Sequence, residues 1–162
     1  MRRVSAGKKM MLVIGCGNTD RGDDGAGILV ARRLRSLGVD AVDHAGDGFD
    51  LLDLWESAED VALMDAMVSG SEPGRVAVWD GLAAPLSAKA CRCSTHMFGP
   101  AEAIELGRAL GRLPKRLRIY GIEGAKFELG AEPTPEVMAA VDRVAGEILS
   151  AVRLGAADGQ HM

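Results

Sequence analysis

Cysteine is scarce in this chain: three of 162 residues, Cys16, Cys91 and Cys93. That number is too small and too odd for a disulfide framework, so a reducing compartment, the cytoplasm, is the expected setting. No apolar run approaches the roughly eighteen residues of a membrane span, so no membrane role is expected. The basic excess that nucleic-acid binding needs is missing as well, with 23 Asp and Glu against 19 Lys and Arg and a formal charge of -4, which argues against a nucleic-acid partner. Arg2, Arg3, Lys8 and Lys9 precede apolar residues 10–14 in the manner of an export signal. That run is too short and stops at a glycine loop, so export is not expected. Neither a G-x-S-x-G elbow nor a Walker sequence occurs, which removes the usual serine-hydrolase and nucleotide-hydrolysing classes.

What the chain does hold is apolar residue, 48% of the total, ample for one buried core and one domain over residues 1–162, with a core from about residue 10 to 153 and frayed ends. Residues 10–14 form a short apolar run bounded by glycine, as a strand buried on both faces of a parallel sheet does. A helix is expected over residues 25–37, a strand over 39–42, a short helix over 49–55 and a third strand over 61–65. A fourth strand is expected over residues 75–79, paired with its predecessor. A helix follows near Gly99-Pro100, then a strand over 117–122, and a last helix from Thr134-Pro135-Glu136, an N-cap followed by proline in the first turn. Strands alternating with helices predict a three-layer α/β/α sandwich around a mostly parallel twisted sheet of about five strands. Ligands of such folds gather beyond the carboxyl ends of the strands.

The most informative segment lies there. Residues 15–27, Gly-Cys-Gly-Asn-Thr-Asp-Arg-Gly-Asp-Asp-Gly-Ala-Gly, pack five glycines and three aspartates into a strand-to-helix turn. A glycine loop at this place ordinarily cradles phosphate on backbone N–H groups, and Asp23 beside Asp24 would repel it. The loop therefore reads as one that offers carboxylate oxygen to a cation, a water or a peptide bond. Asp65 at the end of the third strand and His96 ahead of the third helix supply two further groups. Two carboxylates and an imidazole suit a borderline cation such as zinc, nickel or iron with open positions left. Each also has an ordinary role to weigh: Asp23 or Asp24 as a helix cap, Asp65 as a strand-ending Asx turn, His96 as a loop histidine. Cys91, Cys93 and His96 fall short of the four ligands and wider spacing of structural zinc sites. Cys16 reads as a small buried residue in a tight turn, and His44 as mainly structural.

Taken together, Gly15-x-Gly17-Asn18, Gly22-Asp23-Asp24-Gly25-x-Gly27, Met64-Asp65-Ala66, Ser94-Thr95-His96 and Tyr120-Gly121-Ile122-Glu123 resemble the hydrogenase maturation protease family. That resemblance implies an aspartyl-type endopeptidase that removes the C-terminal extension of a nickel-iron hydrogenase large-subunit precursor after nickel insertion. It further implies that Asp24, Asp65 and His96 are both the catalytic and the metal-contacting residues, that the nickel is carried by the precursor, and that Asp23 orients Asp24 from behind. Glu123 then lines the site wall. The chain departs from the family's pattern at Asp20-Arg21 and at Gly46-Asp47-Gly48. A monomer is expected, because a mouth that admits a large folded precursor must be unobstructed. Two other readings of the same residues are a non-catalytic nickel-binding chaperone and a phosphate- or nucleotide-binding α/β module.

Overall fold

The structure, a computed structural model, describes residues 9–45, 48–83 and 99–160. His96, Cys91 and Cys93 lie outside the described residues, as do Gly46 and Asp47. Five strands form one sheet: β1 (Lys9–Cys16), β2 (Ala41–His44), β3 (Ala58–Met67), β4 (Val76–Asp80) and β5 (Arg116–Glu123). Their spatial order is β2-β1-β3-β5-β4. The first four in that order run parallel, and β4 alone is antiparallel, paired with β5. Among the described residues four α-helices cover the sheet: α1 (Ala26–Ser36), α2 (Phe49–Trp55), α3 (Pro100–Leu110) and α4 (Pro135–Gln160).

Alternation along the strands splits the core in two, as the period of two in a β-strand requires. Val13, Ala62, Met64, Ala66, Tyr120 and Ile122 face α1 and α4, whose Val30, Leu34, Val141, Val144 and Ile148 close that layer. Leu12, Ile14, Val61, Leu63, Leu117 and Ile119 face the other way, onto Leu51 and Trp55 of α2 and Ile104 of α3. The result is the expected three-layer sandwich. Trp55, fully buried, also donates its indole N–H to the Arg112 carbonyl at 2.7 Å, which satisfies the one polar atom it takes inside.

Three local expectations differ from the structure. The strand over 76–80 does not pair with its predecessor. β5 occupies the free edge of β3 along the whole register from Asp60↔Arg116 to Met67↔Glu123, so β4 is left to close the sheet at the outer edge of β5. The third strand runs two residues past Asp65, because Ala66 and Met67 are still paired with β5. The last helix continues to Gln160, through the small polar residues where fraying is expected.

Chain order creates a reversal at β1. From β1 the chain moves out through α1 to β2 on one side, then returns through α2 to β3 on the other. The chain therefore leaves the carboxyl end of β1 toward β2 and that of β3 toward β4, in opposite directions along the sheet, so the two exits diverge. In open α/β sheets that divergence is the ligand crevice.

Candidate functional site

Both β1 and β3 deliver acids to this crevice. The turn after β1 opens at Gly17, whose φ of +137° lies in the region that only glycine adopts readily. A Cβ on Gly17 would fall 2.0 Å from the Asp24 carbonyl oxygen and 3.8 Å from Asp65 Oδ1. Those two distances bring the Asp24 backbone and the Asp65 carboxylate up to the same residue. The Gly17 N–H donates to the His44 carbonyl at 3.2 Å, and the Asn18 N–H to the Asp24 carbonyl at 3.0 Å. The loop is thus sewn to β2 on one side and to its own acid turn on the other.

Asp23 and Asp24 lie in a 3-10 turn, Gly22–Gly25, that packs against β3 and leads directly into α1. Both are buried, at 0% and 3% exposure. Neither caps α1: its N-cap is Gly25, with no side-chain hydrogen bond. Asp23 has a different task. Its Oδ2 accepts the N–H groups of Ala125 at 2.8 Å and Lys126 at 3.0 Å. Its Oδ1 accepts the Thr134 N–H at 2.7 Å, and the Thr134 hydroxyl reaches both oxygens at 3.1 Å. A carboxylate so fully engaged by protein donors has little capacity left for a ligand.

Asp65 is half-buried in β3 and points to the α2–α3 side of the sheet, in step with Val61 and Leu63. Its Oδ1 accepts the Ala66 N–H at 2.8 Å, yet the strand goes on to Met67, so the Asx contact does not end it. Asp65 shares a small cleft with Met67, Trp79, Gly121 and Pro100, the first residue of α3. The helix that begins here follows His96 by four positions in the chain. The Glu102 carboxylate reaches back to the Gly99 N–H at 2.7 Å and fixes the start of α3.

Cys16 and Glu123 complete the surroundings. Cys16 is buried at the end of β1, and burial first, then the nearby Asp65 charge, raise its thiol well above the ordinary range. The thiol is accordingly held protonated, an apolar neighbour of Asp65 and not a nucleophile. Glu123, 2% exposed at the end of β5, receives the Ser69 N–H at 3.0 Å and the Ser69 hydroxyl. It anchors the loop that leaves β3, a function that residue type and spacing did not disclose. Asp20-Arg21, where the chain departs from the expected pattern, is tied into the same assembly. Arg21 Nε donates to the Phe127 carbonyl at 3.2 Å, and the Gly130 N–H donates to the Asp20 carbonyl at 2.7 Å.

Among the described residues no three His, Cys, Asp or Glu side chains converge to hold a metal ion.

A family model described as hydrogenase maturation protease matches residues 29–151. That span contains Asp65 and His96 and starts just beyond the acid turn. Protein FrxA of Pyrococcus furiosus is 29% identical over 136 residues, covering 83% of this chain and 98% of that protein. Hydrogenase 2 maturation protease of Escherichia coli is 26% identical over 149 residues, covering 88% of this chain and 90% of that protein. Among solved structures, the NiFe hydrogenase maturation protease HybD from Thermococcus kodakarensis superposes with a TM-score of 0.72 at 29% identity, covering 88% of this chain and 98% of that one.

Proposed function

Since the chain belongs to the hydrogenase maturation protease family and is therefore a peptidase, we propose that it removes the C-terminal extension of a nickel-iron hydrogenase large-subunit precursor once nickel is in place. The observation that carries this reading is the approach of the acid turn to Asp65: the Asp24 backbone and the Asp65 carboxylate both come up to Gly17 in the turn after β1, beside an Asp23 held by the donors of residues 125, 126 and 134. Asp24 and Asp65 add carboxylate oxygens to the coordination of a nickel ion that the precursor already holds. Asp24, Asp65 and His96 contact that ion, so the metal serves as a readiness signal carried by the substrate.

The cut itself is the addition of water to a peptide carbonyl. Asp65, half-exposed to the crevice, takes the proton of the attacking water and returns it to the leaving amine as general base and then acid. Asp24, more deeply buried, contacts metal only. The phosphate-binding and idle-chaperone readings do not survive membership in a peptidase family. The metal in this reading is carried by the substrate and is not resident in the enzyme, which works in the cytoplasm. Among the described residues no helix is long and apolar enough to cross a membrane.

The test is incubation of the full chain with nickel-loaded precursor, followed by intact-mass spectrometry. The expected result is one discrete loss from the precursor's C-terminus, matched by one released peptide. Unchanged mass across a panel of cognate precursors contradicts the proposal.

A further inference from the structure

The loop between β5 and α4 approaches the acid turn through more bonds than its length requires. Asp23 receives four donors from it, at Ala125, Lys126 and twice at Thr134. The Asp23 N–H returns a bond to the Lys126 carbonyl at 2.8 Å. Residues on either side of Asp23 repeat the pattern, through Asp20 with Gly130 and Arg21 with Phe127. These contacts tie residues 20, 21 and 23 of the turn to the β5–α4 loop, most of them at Asp23, immediately before Asp24. From the opposite side, the Asp24 carbonyl is held by the Asn18 N–H at 3.0 Å, and the Asp24 N–H by the Arg21 carbonyl at 3.1 Å. The backbone that aims Asp24 is fixed at both ends.

We propose that Asp23 is a positioning residue: its buried carboxylate clasps residues 125, 126 and 134 so that the turn presents Asp24 to the crevice at one fixed angle. The inference rests on the reading that Asp24 contacts the substrate's metal. A carboxylate is needed at this point because one residue must accept three backbone N–H groups and a hydroxyl at once, and the two oxygens of an ionised acid provide enough acceptor sites. An asparagine would turn an NH₂ group toward donors. The clasp also links two connections on the same side of the sheet, the one after β1 and the one after β5, so the β5–α4 loop acts on Asp24 without touching substrate.

Two substitutions separate positioning from bulk stability. Thr134→Val removes the hydroxyl that bridges both Asp23 oxygens and keeps the backbone N–H, whereas Thr134→Ser keeps both. With nickel-loaded precursor, at a temperature where circular dichroism shows each variant folded, Thr134→Val is expected to lower kcat about fivefold. KM stays within about twofold, and Thr134→Ser restores the wild-type rate. Asp23→Asn is expected to lower kcat by roughly ten- to a hundredfold. Wild-type kcat in Thr134→Val and Asp23→Asn, beside an inert Asp24→Asn, overturns the positioning role and leaves the reading of Asp24 intact. A raised KM at unchanged kcat also overturns it, by making the clasp a docking element. Full activity of Asp24→Asn overturns both. Should Asp23→Asn fail to fold, Thr134→Val with its serine rescue decides the matter.

Discussion

Asp24→Asn and Asp65→Asn are each expected to reduce precursor processing by roughly a hundredfold or more, the scale on which a lost proton-transfer group or metal-contacting carboxylate is felt. Each exchange keeps the shape of the side chain and removes its charge. An amide oxygen is a weaker donor to a borderline cation and does not take a proton from water. Stability should change little, by about 1 kcal/mol, because each exchange is nearly isosteric and the amide keeps one oxygen as an acceptor. A mass-spectrometric time course beside a thermal melt reads both quantities. Wild-type turnover in either variant removes that residue from the chemistry, and a collapse of the melting temperature makes it structural.

Gly27→Ala is the second large effect, and it acts on the fold. Gly27 opens the first turn of α1, where the helix lies directly on the sheet. A Cβ there would meet the Met64 carbonyl oxygen at 2.3 Å and the Cys16 carbonyl oxygen at 2.5 Å. Both obstacles are strand backbone, so no side-chain rotation relieves the clash. Helix α1 must lift from β1 and β3, and the acid turn leading into it must follow. We expect a loss of about 3 kcal/mol or more, at the upper end of overpacking costs, which lowers Tm by roughly 6–12 °C in a chain of this size. Gly146→Ala is the control. It lies exposed on α4 with nothing within 4 Å of an added Cβ, so the helix propensity of alanine should raise stability by about 0.5–1 kcal/mol. Calorimetric melts of the two variants should therefore move in opposite directions. Equal Tm values for Gly27→Ala and the wild type would contradict the close helix–sheet contact.

These two residues show which parts of the molecule can be read from sequence and which cannot. The helix over 49–55 and the start of α4 at Thr134-Pro135 follow from local pattern, and the structure places them there. Apolar runs bounded by glycine identify β1, β3 and β5, since burial on both faces leaves a continuous signature. Pairing is another matter. Nothing local to residues 76–80 indicates that a strand forty positions later will insert beside β3, so the expectation of pairing with the predecessor fails. The same holds for the acids. Density of carboxylate in residues 15–27 is visible at a glance, but the partners that occupy Asp23 lie more than a hundred residues downstream. Only the folded chain shows Asp23 held by residues 125, 126 and 134. Glu123 is likewise legible as an acid at a strand tip, and its grip on Ser69 is not, because that loop is more than fifty residues away.

The central claim is that the metal carried by the substrate licenses the cut. Its most direct test is a paired reaction: one precursor preparation loaded with nickel, the other nickel-free, each incubated with the full chain and followed by intact-mass spectrometry. The account predicts release of a C-terminal peptide from the loaded precursor alone, with the nickel-free precursor unchanged until the metal is restored. Equal processing of the two preparations would contradict it.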